Sequence, residues 1–156
     1  MATATTRAAA RAQLLRHFDA TLRSLPAGVG LTLRHPDLPN AVFHNGVTLS
    51  WDGSDPDNTL VFLDIRYWVL GTTPETCDAV FDLVLRAWSE QGWATSTEDA
   101  FPRAGYARTP DGYGFALNQS LNGYLSLAGT TPPFDPESEA GEPLPTHIDH
   151  PSARPH

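Results

Sequence analysis

The sequence predicts an α+β fold in which two helices are each followed by a group of short antiparallel strands. Apolar residues recur at helical spacing in two segments, residues 8–24 and 74–91. The stretches after each segment alternate between apolar and polar residues and are broken by Asn-Gly and Asp-Gly dipeptides, which are typical of hairpins. With 156 residues, 40% of them apolar, the chain is long enough for one domain with a hydrophobic core.

The first helix is predicted over residues 8–24. Its apolar residues recur at intervals near three and four, which places them along one helix face. Pro26 and Gly28 follow and end the helix. The apolar stripe consists of Leu14, Leu15, Phe18, Leu22 and Leu25.

Three short strands are predicted next, at residues 31–33, 41–43 and 47–51. Asn45-Gly46 separates the second from the third, so we expect a hairpin there. The polar segment 52–58 is rich in Asp and predicts a loop.

Residues 60–70 form the clearest predicted strand. One side carries only apolar residues from Val61 to Val69 and must face the core. The other side, which we call the second sheet face, is apolar except for Asp64 and Arg66. We therefore expect the second sheet face to be only partly covered.

The second helix begins at Thr73 and Pro74 and ends at Gly92. Its apolar residues follow a 3.6-residue period closely from Cys77 to Trp88. Four strands are predicted after it, with hairpin turns at Asp111-Gly112 and Asn122-Gly123; they cover residues 93–97, 105–109, 113–120 and 124–128.

The tetrapeptide Gly-Thr-Thr-Pro occurs at 71–74 and again at 129–132, after each predicted helix-and-strand half. An internal duplication into two pseudo-repeats is therefore an alternative to a single unrepeated domain. From residue 132 the chain is rich in Pro and acidic residues and poor in apolar ones. We predict one α+β domain over residues 1–131 and a Pro-rich tail over 132–156 that is extended and disordered, or laid across a surface.

Composition excludes several classes of protein. All 10 basic residues are Arg, against 18 acidic residues, and the net charge of −8 disfavours binding to nucleic acid. The single cysteine, Cys77, excludes an intramolecular disulfide and a multi-thiolate metal site. No apolar run is long enough for a membrane span, and the first residues lack the apolar stretch of a secretory signal. We expect a cytoplasmic protein.

No motif indicates catalysis, a cofactor or a metal. The sequence contains no Gly-x-Ser-x-Gly element and no Lys-containing phosphate loop. Cys77 lies on the apolar stripe of the second helix, where packing is the favoured role. Asp64 and Arg66 project to the same side of their strand; they are either a binding or catalytic pair in a cleft, or a surface ion pair.

Aromatic residues are the remaining signal. Several of them can join Asp64 and Arg66 on the second sheet face, and aromatic side chains with Arg are typical of protein-recognition surfaces. The alternative is that a helix or the tail covers them. The predicted binding residues are Trp51, Asp64, Arg66, Trp68, Tyr113 and Tyr124.

The segment that begins at Gly92-Trp93 also carries Asp111-Gly112-Tyr113 and ends in Leu-Ser-Leu-Ala-Gly-Thr-Thr-Pro-Pro at residues 125–133. It resembles small, mostly uncharacterised actinobacterial proteins and lipoprotein-like domains. The resemblance implies a bacterial source and an α+β sheet, and it carries over no catalytic residues. It does not extend to surface anchoring, since the chain lacks a lipobox cysteine.

These observations favour a non-enzymatic protein-interaction protein. Within that class we expect an immunity protein that neutralises a partner toxin, because acidic charge would steer the chain onto a basic partner. A secretion chaperone or adaptor is the alternative within the class. The alternative outside it is a small-ligand-binding protein or enzyme that uses the face around Asp64 and Arg66. An exposed sheet face would also suit a homodimer interface.

Overall fold

The structure, a computed structural model, describes residues 5–153. It confirms the α+β class: two α-helices and an eight-stranded sheet whose neighbouring strands are antiparallel. In chain order the elements are α1 (Arg7–Arg23), β1 (Gly30–Thr32), β2 (Val47–Ser50), β3 (Val61–Leu70), α2 (Cys77–Glu90), β4 (Ala94–Glu98), β5 (Ala104–Arg108), β6 (Gly114–Gln119), β7 (Leu125–Thr130) and β8 (His147–Ile148).

The long strand β3 is the centre of the sheet. The strand order is β4–β5–β6–β7–β3–β1–β8, and β2 also pairs with β3. On one side β7 pairs with residues 64–68 of β3. On the other side β2 pairs with residues 61–64 and β1 with residues 68–70. One strand therefore connects the four-stranded half β4–β7 to the shorter strands.

Both helices pack on the same face of the sheet. The ring of Phe18 in α1 meets the ring of Tyr67 in β3 edge to face, with 5.3 Å between centroids. A Cβ on Gly129 of β7 would lie only 2.7 Å from Phe18, so glycine permits the close approach of α1. The Trp88 indole in α2 donates to Thr21 Oγ1 in α1 at 3.0 Å, which joins the two helices. The core lies between the helices and this face.

The two later hairpin predictions are confirmed and the first is wrong. Asp111-Gly112 joins β5 to β6, and Asn122-Gly123 joins β6 to β7, with positive φ at both glycines. Residues 41–43 are not a strand, so Asn45-Gly46 closes no hairpin. They belong to a loop in which the Phe43 amide donates to the Leu33 carbonyl at 3.0 Å.

Residues 132–153 are not a separate tail. Phe134 is fully buried and exchanges two backbone hydrogen bonds with Val61. Leu144 and Ile148 are buried too, and β8 pairs with β1. The prediction of a disordered tail is not confirmed, because a few widely spaced apolar residues are each buried. Residues 154–156 lie outside the described part of the chain.

This segment also follows α1 from end to end. The Ala8 amide donates to the Glu139 carbonyl at 2.8 Å near the start of the helix. Beyond the end of the helix, His150 Nε2 lies 3.0 Å from the Leu25 carbonyl oxygen. The segment therefore fixes α1 on the sheet.

The proposed duplication finds no support in the topology. The second half is a four-stranded meander in which β4, β5, β6 and β7 pair in sequence order. In the first half β1 and β2 do not pair with each other but bind different ends of β3. Neither helix of the described chain is long and apolar enough to cross a membrane.

Candidate functional site

Within the residues that the structure describes, no α-helix covers the face of the sheet opposite α1 and α2, and we call this face the open face. Alternation along β3 sends Asp64, Arg66 and Trp68 to this face, where they are half-buried. The register places Thr130, Ala128 and Ser126 of β7 beside them. The open face is therefore the predicted second sheet face, and the prediction that it is only partly covered is confirmed.

The β2–β3 hairpin carries the most apolar part of the open face. Val47 and Leu49 pair with Asp64 and Phe62, so their side chains lie on this face. Trp51 continues the alternation, and its ring meets that of Phe62 edge to face at 5.9 Å. Val47, Leu49 and Trp51 are 42%, 44% and 49% exposed. We call Val47, Leu49, Trp51 and Phe62 the hairpin patch.

Asp64 and Arg66 lie next to this patch but do not form an ion pair with each other. Arg66 Nη1 instead donates to Ser126 Oγ at 2.7 Å and to Asn118 Oδ1 at 3.2 Å. Burial raises the pKa of Asp64, and the positive charge of Arg66 only partly opposes this effect. A half-buried carboxylate beside an anchored guanidinium can bind a polar or charged group of a partner molecule.

The loop of residues 33–46 covers the far end of the open face. Phe43 stacks on Trp68 with 4.8 Å between ring centroids, and the Trp68 indole donates to the Ala41 carbonyl. Tyr124 lies under the same loop, where its hydroxyl is 3.4 Å from Asp37 Oδ2. Trp68 and Tyr124 therefore hold a loop of the chain itself, while Trp51, Asp64 and Arg66 remain accessible.

Tyr113 is not on the open face, and its predicted placement there is wrong. It is 4% exposed, and its ring packs 5.0 Å from that of His17 in α1. The reason is strand alternation. Tyr113 lies just before β6 and on the same side of the strand as Phe115 and Leu117, which face the helices. Burial raises the pKa of Tyr113 to about 12.

A shallow groove of about 360 Å³ crosses the other half of the open face. Tyr106 and Arg108 of β5 stand above a floor of small residues that includes Gly114 and Ala116. A smaller groove of about 240 Å³ lies beside Asp64 and Arg66, where Phe43 and Val47 help to line it. Both grooves are open to solvent, which suits an extended segment better than an enclosed small molecule.

A second polar cluster lies where α1 meets the β5–β6 turn. His17 Nε2 is 3.1 Å from Asp111 Oδ2, and the Gln13 amide donates to the same oxygen at 3.0 Å. Burial opposes ionisation of Asp111, but hydrogen bonds from Thr109, His17 and Gln13 lower its pKa. These contacts of His17 and Gln13 with Asp111 join α1 to the β5–β6 turn.

Cys77 is buried in the core side of α2, as predicted for a packing residue. Burial raises the pKa of its thiol, which the Gln119 amide contacts at 3.4 Å. A thiol in this state is a poor nucleophile. Within residues 5–153 no group of three His, Cys, Asp or Glu side chains is arranged to hold a metal ion.

Sequence reasoning missed Val47, Leu49, Tyr106 and Arg108. Strand alternation contained a usable signal, because Val47 and Leu49 share a side with Trp51. The signal was ambiguous, since an apolar side of a strand normally faces the core. Only the placement of the helices shows that this side is exposed.

Comparison with protein-family models, curated proteins and solved structures found no match for this chain. The resemblance to actinobacterial lipoprotein-like domains stays a prediction. Function must therefore be argued from the geometry of the open face itself.

Proposed function

We propose that this chain is a non-enzymatic protein-binding protein whose open face contacts the partner and whose hairpin patch anchors it. The observation that carries the proposal is the cluster of large exposed apolar side chains at Val47, Leu49 and Trp51. Isolated exposed apolar residues are common, but contiguous ones rimmed by polar groups mark interaction sites.

The surroundings of the hairpin patch support an interface. Trp51 is the residue type most often found as a binding hot spot, and Arg66 is among the next. Arg66 lies on β3, and Trp51 directly follows β2, so the sheet orients both side chains before the partner arrives and lowers the entropy lost on binding. Asp64 and Arg66 add polar groups at the rim, where they would select the orientation of the partner.

The net charge of −8 favours a basic partner. Acidic steering onto a basic protein is the arrangement we expect of a cytoplasmic immunity protein that neutralises a toxin, and we propose this role. The shallow grooves also suit a secretion chaperone or adaptor that holds an extended segment of its client.

A small-ligand protein or enzyme is the second candidate. The observation that favours it is the groove beside Asp64 and Arg66, where a carboxylate with a raised pKa adjoins a guanidinium. The open shape of the groove argues against this candidate, since ligand sites enclose most of their ligand.

The test is partner capture followed by measurement with purified components. Tagged wild-type chain would be used to capture the partner from a lysate of the source cells at low and high salt, and mass spectrometry would identify the partner. Calorimetry would then compare the wild type with Trp51→Ala and Leu49→Asp. We expect each change to weaken binding by about 30-fold or more, as for a hot-spot residue.

Leu121→Asp is the matched control, because Leu121 is 75% exposed but lies in the turn between β6 and β7. It should bind the partner as the wild type does. Equal binding by all three variants would contradict the role of the hairpin patch. Capture of no protein, with a small molecule bound near Asp64, would favour the second candidate.

A further inference from the structure

The edge of the sheet at β4 is unpaired and unusually open. All five residues of Ala94–Glu98 are exposed, and among the described strands β4 pairs only with β5. Natural sheets protect such edges with Lys, Pro, bulges or a covering element. The sequence of β4 is Ala-Thr-Ser-Thr-Glu, which contains no Pro and no Lys, and its only charge is Glu98 at one end.

Two residues of β4 direct both of their backbone groups, the N–H and the C=O, to solvent. The Thr109 amide donates to the Tyr113 carbonyl, so the odd-numbered residues of β5 direct their backbone groups to β6. The even-numbered residues of β5 then bond β4 at Ala94, Ser96 and Glu98. This leaves the N–H and C=O groups of Thr95 and Thr97 directed outward.

Two charges on the open face lie at opposite ends of this edge. Glu98 is the last residue of β4, and Arg108 pairs with Ala94 at the other end. Within one chain they are separated by four residues along the strand, about 13 Å. In the described part of the chain, neither the Glu98 carboxylate nor the Arg108 guanidinium forms a hydrogen bond or ion pair with another residue.

We propose that two copies of this chain associate by antiparallel pairing of β4 with β4, about a two-fold axis at Ser96. In this register Thr95 of each copy faces Thr97 of the other, and the outward groups form four backbone hydrogen bonds. Ala94 of each copy faces Glu98 of the other. Each pair of opposed residues is repeated by the symmetry, as a two-fold interface requires.

Charge complementarity selects this register and this occupant. The pairing brings Glu98 of one copy two strands away from Arg108 of the other, at about 10 Å between Cα atoms. Only the small side chain of Ala94 lies between them, so the two long side chains can meet above it. The symmetric interface contains two such pairs, whereas Glu98 and Arg108 of a single chain are too far apart to pair with each other.

This pairing leaves the hairpin patch free, because β2 lies beyond β3 and β7 from the β4 edge. The two open faces join into one continuous surface, with Ser96 and Tyr106 of both copies at its centre. The inference is thus independent of the proposed partner-binding role.

The test is sedimentation equilibrium of the full chain over a wide concentration range. We expect a reversible monomer–dimer equilibrium. Glu98→Arg and Arg108→Glu should each raise the dimer dissociation constant about tenfold or more, since each places like charges together. The double variant should restore it to within about threefold of the wild type, which a merely structural effect of either change would not do.

Thr95→Pro is a second way to disrupt the β4–β4 pairing, and we expect the monomer to tolerate it. It removes an N–H that the monomer does not use, and Pro is accepted on edge strands at such positions. We expect it to abolish dimerisation while leaving the circular dichroism spectrum unchanged. Leu49→Asp is the control and should dimerise normally.

A chain that is monomeric at every concentration would overturn the proposal. So would a dimer that Thr95→Pro and both charge variants leave intact, because its interface would lie elsewhere. A dimer lost in Leu49→Asp would place self-association at the hairpin patch instead.

Discussion

The two faces of the central sheet are built from the same strands but have opposite roles. On the helix-covered face Ile65 and Tyr67 of β3 are almost fully buried, and the ring of Tyr67 packs against that of Phe18 in α1. One residue along, the Arg66 side chain on the open face donates to Asn118 in β6 and Ser126 in β7. Alternation therefore separates the residues that build the core from those that we propose for recognition, so we expect each set to be perturbed with little effect on the other.

The largest expected effect comes from the covered face. Phe18→Ala should lower the free energy of unfolding by about 3–5 kcal/mol, because it removes a fully buried ring between α1 and β3. Tyr106→Ala on the open face should cost less than about 1 kcal/mol, since Tyr106 is exposed. Urea denaturation of both variants measures the difference, and equal losses would show that the open face also carries the fold.

An intermediate effect is expected where the loop 33–46 covers the open face. Trp68→Ala removes the stack on Phe43 and the hydrogen bond to Ala41, and should cost about 2 kcal/mol. Trp51→Ala, on the uncovered part, should cost less than about 1 kcal/mol. Thermal and urea unfolding would compare the two. A loss of equal size for Trp51 would mean that the hairpin patch is structural.

The smallest effect is a difference in pH dependence between two carboxylates. The pKa of Asp111 is lowered in the folded chain, so its stabilisation is complete above about pH 4 and is lost as the pH falls through the folded value. The pKa of Asp64 is raised, so its ionisation costs stability as the pH rises from about 4 through the folded value.

At neutral pH Asp111→Asn should therefore destabilise the chain and Asp64→Asn should stabilise it slightly, each by less than about 1 kcal/mol because both groups are partly exposed. Urea denaturation at pH 7 and pH 3 would show both differences shrinking at the lower pH. A change in the free energy of unfolding with the same sign for both variants at pH 7 would contradict the opposite pKa shifts of Asp111 and Asp64.

Most of the elements could be predicted from local sequence. The period of 3.6 in α2, the alternation in β3 and the Asp-Gly and Asn-Gly turns each reflect interactions between near neighbours. The predicted placement of the site residues on one accessible face was only partly correct. Trp51, Asp64 and Arg66 lie on the accessible open face, whereas Trp68 and Tyr124 are held by a loop from another part of the chain.

The segment after residue 131 shows why composition was misleading. Its Pro and acidic residues match those of disordered chains, and its apolar residues are too few to form a core alone. Phe134 and Ile148 are buried because they pair with β3 and β1, two strands that lie earlier in the chain. Composition averages over a segment and does not record such contacts.

The sequence by itself determined the α+β class, the two helices, the central strand and which residues of that strand share a side. These properties depend on periodicity, which acts over a few residues. Tertiary structure alone decided which side the helices cover, and so which aromatic residues are core and which are accessible. That choice rests on contacts between residues far apart in the chain, such as Phe18 with Gly129 and Tyr113 with Ala10.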